Sequence, residues 1–440
     1  MKWDWDEMFG SEYFIVLKNE ERKYFVLEEI NPAWEISRYY SKTNLWYKRT
    51  TAFWEGNTIV KVIVEQKRVV DEGKITYHSY EECDTRIVTE QREWILPLTS
   101  KGKKKKVTAA NILNITPFGC VFHFHLDTAS GDRATNMAVN NPRNCQTLAI
   151  GEVDRVKEIS NNDDFRVFME EYIATCPDDY FDKAGRLKTA KRVTVKYHVG
   201  DVFRIEVDRF RYCYGIITGE IRKMIRWEEM PERHSFYSLM MVPLMVRYYN
   251  LVTTDGTLTV EDLKNVPLGY VDICGDNDII WGTHPIIGHR ELEAEDLEFN
   301  LICTRIIHND EHSTVFTGEL FMADGLVKQP QSYHLYVEWG TANVLLPSDR
   351  VSAKLEEYLK EYHSPHGGVS IGIRPTLLTM SEDEKTEMWQ YKYNLLEDIN
   401  RDMRNELFAC LGLHPDAGFD EFAVKFQGLT KQEILEKMRS

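Results

Sequence analysis

The residues of this 440-residue chain that could do chemistry are few and scattered. His123 and His125, in the triplet HFH, stand two apart, a spacing that puts both side chains on one face of a strand. They would offer two nitrogen ligands to a metal if Cys120 or Asp127 joined them. No third ligand stands at a diagnostic spacing, so both read as structural or surface histidines. His284 and His289 flank the turn in HPIIGH with Asp278 upstream, and the neighbouring Trp281, Ile286 and Ile287 mark that segment as core. HGG at His366 to Gly368 resembles the oxyanion-hole loop of lipases, whose backbone N–H groups stabilise a developing oxyanion. Its companion nucleophile elbow, G-x-S-x-G, is missing from the sequence, as are GxGxxG after a strand, the P-loop and HExxH. Paired acids such as Glu81–Glu82 and Asp163–Asp164 are abundant in so acidic a chain and single out no general acid or base. The expectation is a protein with no catalytic residue, no metal and no cofactor.

Composition narrows the remaining classes. A chain of this length exceeds what one core usually supports, so two or three packed units are expected. With 43% hydrophobic and 12% aromatic residues it can bury substantial cores, which argues against extensive disorder. The opening MKWDWDEMFG alternates aromatics and acids and does not read as a leader. The longest apolar stretch, FYSLMMVPLMVRYYNLV from Phe236 to Val252, is interrupted by Pro243 and Arg247 and is too short and polar for a membrane span. Eight cysteines are scattered without a CxxC pair, which fits free thiols in a reducing, cytoplasmic setting. The formal charge of −16 repels nucleic acid and attracts a basic protein. KGKKKK at Lys101 to Lys106 is the one dense basic run and reads as a solvated loop.

The elements that must position these residues are mostly strands, giving an expected α+β class, predominantly antiparallel. Phe14–Leu17, Lys23–Ile30, Thr58–Val70 and Lys74–Glu82 carry β-branched and aromatic residues between turns. Trp34, Tyr39, Tyr40, Trp46, Tyr47 and Trp54 are expected to pack beneath that sheet. A short helix capped near Thr108, a strand from Cys120 to Leu126 and a helix from Asn162 to Cys176 follow. PDDYFDKAGRLKTAKR reads as a linker, and the apolar run from Phe236 to Val252 as a helix. Two strands, Leu268–Cys274 and Asp278–Gly288, come next; the whole region reads as a small curled sheet or barrel with one inserted helix. Toward the C-terminus, strands at LICTRIIHND and Ser332–Leu346 precede a helix at Val351–His363, and a helical appendage follows in which Thr430 caps the last helix. The expected division is 1–106, 107–195, 196–301, 302–380 and 381–440.

The stretch KYHVGDVFRIEVDRFRYCYGIITGEIRKM, Lys196 to Met224, carries the densest pattern. Val202, Ile205 and Val207 alternate with charges on one strand, Tyr212, Tyr214 and Ile216 on the next, and a short connection near Asp208 to Phe210 makes an antiparallel hairpin. Gly200 and Asp201 suit a tight turn, and Gly215 a bulge or close backbone approach. Val202, Ile205 and Tyr214 are the inward residues, expected to pack against the Phe236–Val252 helix. Together with WGTHPIIGHRELEAEDLEF downstream, this stretch resembles the immunity protein 26 family of bacterial polymorphic toxin systems. The resemblance rests on Gly200, Asp201, Val202 and Phe203, on Tyr212, Tyr214 and Gly215, on Trp281, Pro285, Ile286, Ile287 and Gly288, and on Phe299. It covers about residues 196 to 301 and implies a mostly β domain that binds and neutralises a cognate toxin.

Two functions follow. The first is a non-catalytic immunity factor whose partner is a protein toxin, expected to be basic, with no role for nucleic acid or membrane. Glu291, Glu293, Glu295, Asp296 and Glu298, five acids in eight residues, are its candidate steering surface. The second is a small-barrel enzyme or RNA-binding regulator, which the sign of the charge disfavours.

Overall fold

Long runs of Val, Ile, Thr and aromatic residues become the longest strands, because side chains branched or ringed near the backbone fit a pleated, half-buried surface. The computed structural model describes residues 8–10, 12–70, 74–96, 102–113, 119–128, 134–148, 156, 158–232, 234–239, 242–308, 314–316, 333–361 and 394–439. The HGG loop lies outside them. The chain divides into two units, one of Met1–Val195 with Glu206–Arg211 and Trp281–Thr283, the other of Lys196–Ile205, Tyr212–Ile280 and His284–Ser440. Among the described residues the architecture is α+β and every strand pairing is antiparallel.

The first unit is built on a sheet of β1 (Glu35–Thr43), β2 (Trp46–Glu55), β3 (Thr58–Val69), β4 (Ile75–Glu90), β5 (Trp94–Ile95), β6 (Lys105–Lys106), β7 (Val121–Asp127), β8 (Ala134–Asn141) and β9 (Gln146–Leu148). Its main path runs β1-β2-β3-β4-β7-β8-β9, with β5 and β6 extending from β4. One face, carrying Phe53, Ile63, Tyr80, Phe122, Phe124 and Val139, is covered by the 15–27 segment and by helices Asn162–Ala174 and Tyr180–Thr189.

Three expectations are corrected in this unit. Phe14–Leu17 and Lys23–Ile30 are not strands. Phe14 N–H donates to Glu65 and Val16 N–H to the Asn162 side chain, so these amides are satisfied outside any ladder. Lys23–Phe25 is a 3-10 turn closed by Val26 at φ +60°. The segment read as a linker folds as Tyr180–Thr189, because Tyr180, Ala184 and Leu187 recur at helical spacing and are buried. Of the six aromatics expected beneath the sheet, Tyr47 and Trp54 are buried and the others are half-buried.

Charged residues share the covered face. Lys61, fully buried on β3, lies 2.8 Å from Glu82 and 2.5 Å from Asp84 on β4. Arg22 reaches the same Glu82 at 2.8 Å, Tyr80 donates to it at 2.6 Å, and Arg49 pairs with Glu65. Each charge thereby finds an opposite partner inside the unit, the condition for burying ions at all.

The second unit holds an open sheet in the order β13-β12-β11-β10-β14, made of β10 (Asp201–Glu206), β11 (Tyr212–Glu220), β12 (Pro243–Thr253), β13 (Leu268–Gly275) and β14 (Ile286–His289). A second sheet runs β16-β15-β17-β18 through β15 (Leu301–His308), β16 (Thr314–Phe316), β17 (Tyr333–Trp339) and β18 (Ala342–Pro347). Residues of both sheets and of helices Ala353–Glu361, Arg401–Leu411, Phe419–Lys425 and Lys431–Arg439 share one core.

Here the apolar run read as a helix is strand β12, preceded by a 3-10 turn at Ser235–Ser238. Val246, Tyr248 and Tyr249 favour a strand, and Pro243 stands at its first residue, where a missing N–H is tolerated. The expected strand Asp278–Gly288 is instead a helical turn, Asn277–Ile280, followed by a turn and the short β14. Val202 and Tyr214 are buried as expected, but in a core with Met245 and Tyr249 of β12. Ile205 is 1% exposed. Replacing Ile205 by Ala should cost about 2–4 kcal/mol, measured as a lowered denaturation midpoint of this unit; a loss within 0.5 kcal/mol or so would place the side chain at the surface.

Candidate partner-binding site

The acidic segment 291–298 is placed by a chain of contacts that begins at the Gly200 turn. Gly200 adopts φ +95°, and a β-carbon there would lie 2.5 Å from the Arg290 carbonyl oxygen, so the turn requires glycine twice over. The Gly200 carbonyl accepts from Arg290 N–H at 2.9 Å, and β10 pairs with β14 through Asp201 and His289. Asp201 is buried. Its carboxylate accepts from His198 N–H at 2.7 Å and meets His289 Nδ1 at 2.9 Å. Gly215 answers a second constraint, since a β-carbon there would meet the Phe203 ring at 2.6 Å; the β11–β12 register also shifts beside it. Gly288 packs under Val260 in the same way, at 2.6 Å. Pro285 presents its carbonyl to Arg204 N–H at 3.0 Å. Trp281 is half-buried, with Arg192 over its ring, within the first unit.

Three arginines fix the segment beyond β14. Arg290 grips Asp296 with two hydrogen bonds of 2.8 and 3.0 Å. Arg247, buried on β12, pairs with Glu298 at 2.7 Å and donates to the Asp296 carbonyl at 3.0 Å and the Gly269 carbonyl at 2.7 Å. Arg439, at the end of the last helix, donates to the Leu292 carbonyl at 2.6 Å. Leu292, Leu297 and Phe299 point into the core, and Asp296 also accepts from Glu293 N–H at 2.8 Å. The five acids therefore separate by role. Asp296 and Glu298 hold the segment in place, while Glu291, Glu293 and Glu295 are exposed. Glu291, 79% exposed, lies 3.5 Å from His289 and 3.7 Å from Arg439.

Sequence reasoning found the acids but missed the arginines. The signal for Arg247 was available: one charge inside an apolar run must find a buried partner. Arg439 carried no local signal, since it reaches the segment across 147 residues of sequence.

A second polar cluster, His234, Ser235 and Glu338, lines a cavity of about 30 Å³, room for one or two waters. Ser235 Oγ donates to Glu338 at 2.5 Å, Tyr336 donates to it at 3.0 Å, and His234 Nδ1 accepts from Phe236 N–H at 3.1 Å. With its Nδ1 lone pair so engaged and Nε2 against the Gly340 carbonyl at 2.5 Å, His234 is placed to fasten the β17–β18 turn, not to relay a proton to Ser235.

Residues 198–313 match the family model for Immunity protein 26. The Immunity protein 26 match thus takes in β10 to β15, the Gly200 turn, the Asp201–His289 pair and the whole acidic segment. Comparison with curated proteins and with solved structures gave no match.

The Asp201–His289 pair makes a pH-dependent contribution. The hydrogen bond to Asp201 raises the His289 imidazole above its ordinary value; burial opposes this and Glu291 adds to it. Because the folded value exceeds the unfolded one, the stabilisation is fully present below the ordinary value of about 6.5 and is lost as pH rises through the raised value. Thermal scans of the wild type and of His289→Gln should show a stability difference that narrows as pH rises through that window. A difference independent of pH would mean that the pair does not titrate with folding.

Proposed function

We propose that this protein is a non-catalytic immunity factor that neutralises a cognate bacterial toxin by direct protein–protein contact. The observation that carries the reading is the Immunity protein 26 match over the same residues that build the clamped acidic segment. A segment held by Arg247, Arg290 and Arg439 presents its exposed carboxylates on an ordered backbone, so binding forfeits little conformational entropy there. With a formal charge of −16 over the whole chain, the partner best suited to that face is basic, and its encounter is electrostatically steered. The cytoplasm, where the toxin would act, suits the eight cysteines, all free thiols. No helix among the described residues is long and apolar enough to cross a membrane.

Co-expression with the product of the adjacent gene, scored by survival and by binding, tests the reading. Replacing Glu291, Glu293 and Glu295 together by Gln should lower the association rate several-fold at low salt, and the difference should shrink as the Debye length falls to about 8 Å at physiological ionic strength. Asp296→Asn and Glu298→Gln should instead lower thermal stability. A wild-type protein that neither binds nor protects, or that turns over RNA or a small molecule by itself, overturns the immunity reading.

A further inference from the structure

On the face of the first sheet opposite the buried ion pairs, Glu81 of β4 lies directly across from His123 of β7, and His125 follows two residues along the same strand. His123 Nδ1 meets Glu81 Oε1 at 3.1 Å, and His123 Nε2 meets His125 Nδ1 at 2.9 Å. With Nδ1–H donated to the carboxylate, His123 Nε2 carries a lone pair. His125 then holds its proton on Nδ1 to complete the second contact. The result is a carboxylate–imidazole–imidazole row whose last link is one shared proton. His125 is oriented from its other side by Tyr77, stacked on it at 5.6 Å with 23° between the rings, and Tyr77 in turn meets Trp46 edge-on at 5.3 Å. His123 keeps 25% of its side chain exposed and Glu81 43%, so solvent reaches the row.

We propose that His123 Nε2 and His125 Nδ1 bind a divalent transition-metal ion of the zinc type in place of that shared proton, with Glu81 as the outer carboxylate. Two metal–nitrogen bonds of about 2.0 Å at a tetrahedral angle hold their nitrogens roughly 3.3 Å apart, so the rings part slightly and turn to aim both lone pairs at the ion. The proton need not leave, since neutral His125 can carry it on Nε2. A carboxylate accepting from the far N–H of a ligating histidine fixes the tautomer and raises the basicity of the ligand, and the Glu81–His123 contact is that arrangement. Among the described residues no three His, Cys, Asp or Glu side chains converge on one point, so the described residues supply two ligands, both of them histidines.

The test uses the full chain stripped with chelator and titrated with Zn²⁺ by calorimetry, alongside Cu²⁺ by electron paramagnetic resonance. One ion per chain is expected, with Cu²⁺ held more tightly than Zn²⁺, no uptake of Mg²⁺, and imidazole nitrogen couplings in the Cu²⁺ spectrum. His123→Ala and His125→Ala should each weaken binding at least tenfold, Glu81→Gln by roughly 10- to 100-fold, and His198→Ala should leave it unchanged. The wild-type spectrum needs no variant and, should a substitution impair folding, still overturns the proposal if it lacks imidazole nitrogen. Absence of saturable uptake, a spectrum without imidazole nitrogen, or binding that survives both histidine substitutions overturns the proposal.

Discussion

The second unit depends on one buried cation, Arg247. Its strand β12 lies between β11 and β13 in the five-stranded sheet, flanked on both sides by apolar residues, and its guanidinium is satisfied by the Gly269 and Asp296 carbonyls and the Glu298 carboxylate. A guanidinium offers five donors in a rigid fork, so it can tie a neighbouring strand and a loop together at once. Withdrawn from water, it is tolerable only because those acceptors come to it, and the loop that brings them is the acidic segment. The geometry of the candidate binding surface thus follows from the need to satisfy a charge in the sheet beneath it. Burial pulls the Arg247 guanidinium below its ordinary value, an effect that Glu298 and Asp296 oppose.

The first unit meets the same constraint with a different arrangement. Its sheet carries Lys61, Glu82, Asp84, Arg49 and Glu65 on the covered face, in a row of cross-strand pairs of opposite sign: Arg49 of β2 with Glu65 of β3, and Lys61 of β3 with Glu82 and Asp84 of β4. Tyr80 and the Glu28 amide donate to the carboxylates of that row. Such a row is specific about register: sliding β4 by one residue against β3 would turn Glu82 and Asp84 to the other face and leave Lys61 buried alone. Paired acids in the sequence are accordingly a poor guide to chemistry here. Glu81 and Glu82 are adjacent in the chain, yet one supports an imidazole on the open face and the other is locked among cations beneath the helices.

Where the sequence was legible, local pattern and burial agreed. β10 and β11 form the hairpin that their strand formers and short connection predict, β3 and β4 are long runs of strand formers, and Asn162–Ala174 opens with Asn161 accepting from the Asp163 and Asp164 amides. Misreadings occurred where burial removed periodicity or where side chains replaced the ladder. An apolar strand buried on both faces, such as β12, cannot be told from a buried helix by period alone. The Phe14–Leu17 segment has strand composition, but its Phe14 and Val16 amides donate to Glu65 and Asn162, residues 51 and 146 positions away.

By itself the sequence determined the α+β class, the antiparallel hairpins, the glycines of the Gly200 turn and the Phe203 contact, and the acidic character of residues 291–298. These are local properties, written in alternation, turn residues and charge. Only the tertiary structure decided which acids are exposed and which are structural, and that His289, Arg290, Arg247 and Arg439 converge on one segment. It alone also brought Glu81 against His123. The physical reason is that a charge is assigned its role by the partner that compensates it. In a folded chain that partner is supplied by strand register and packing, as with Glu81 on the neighbouring strand or Arg439 on the last helix.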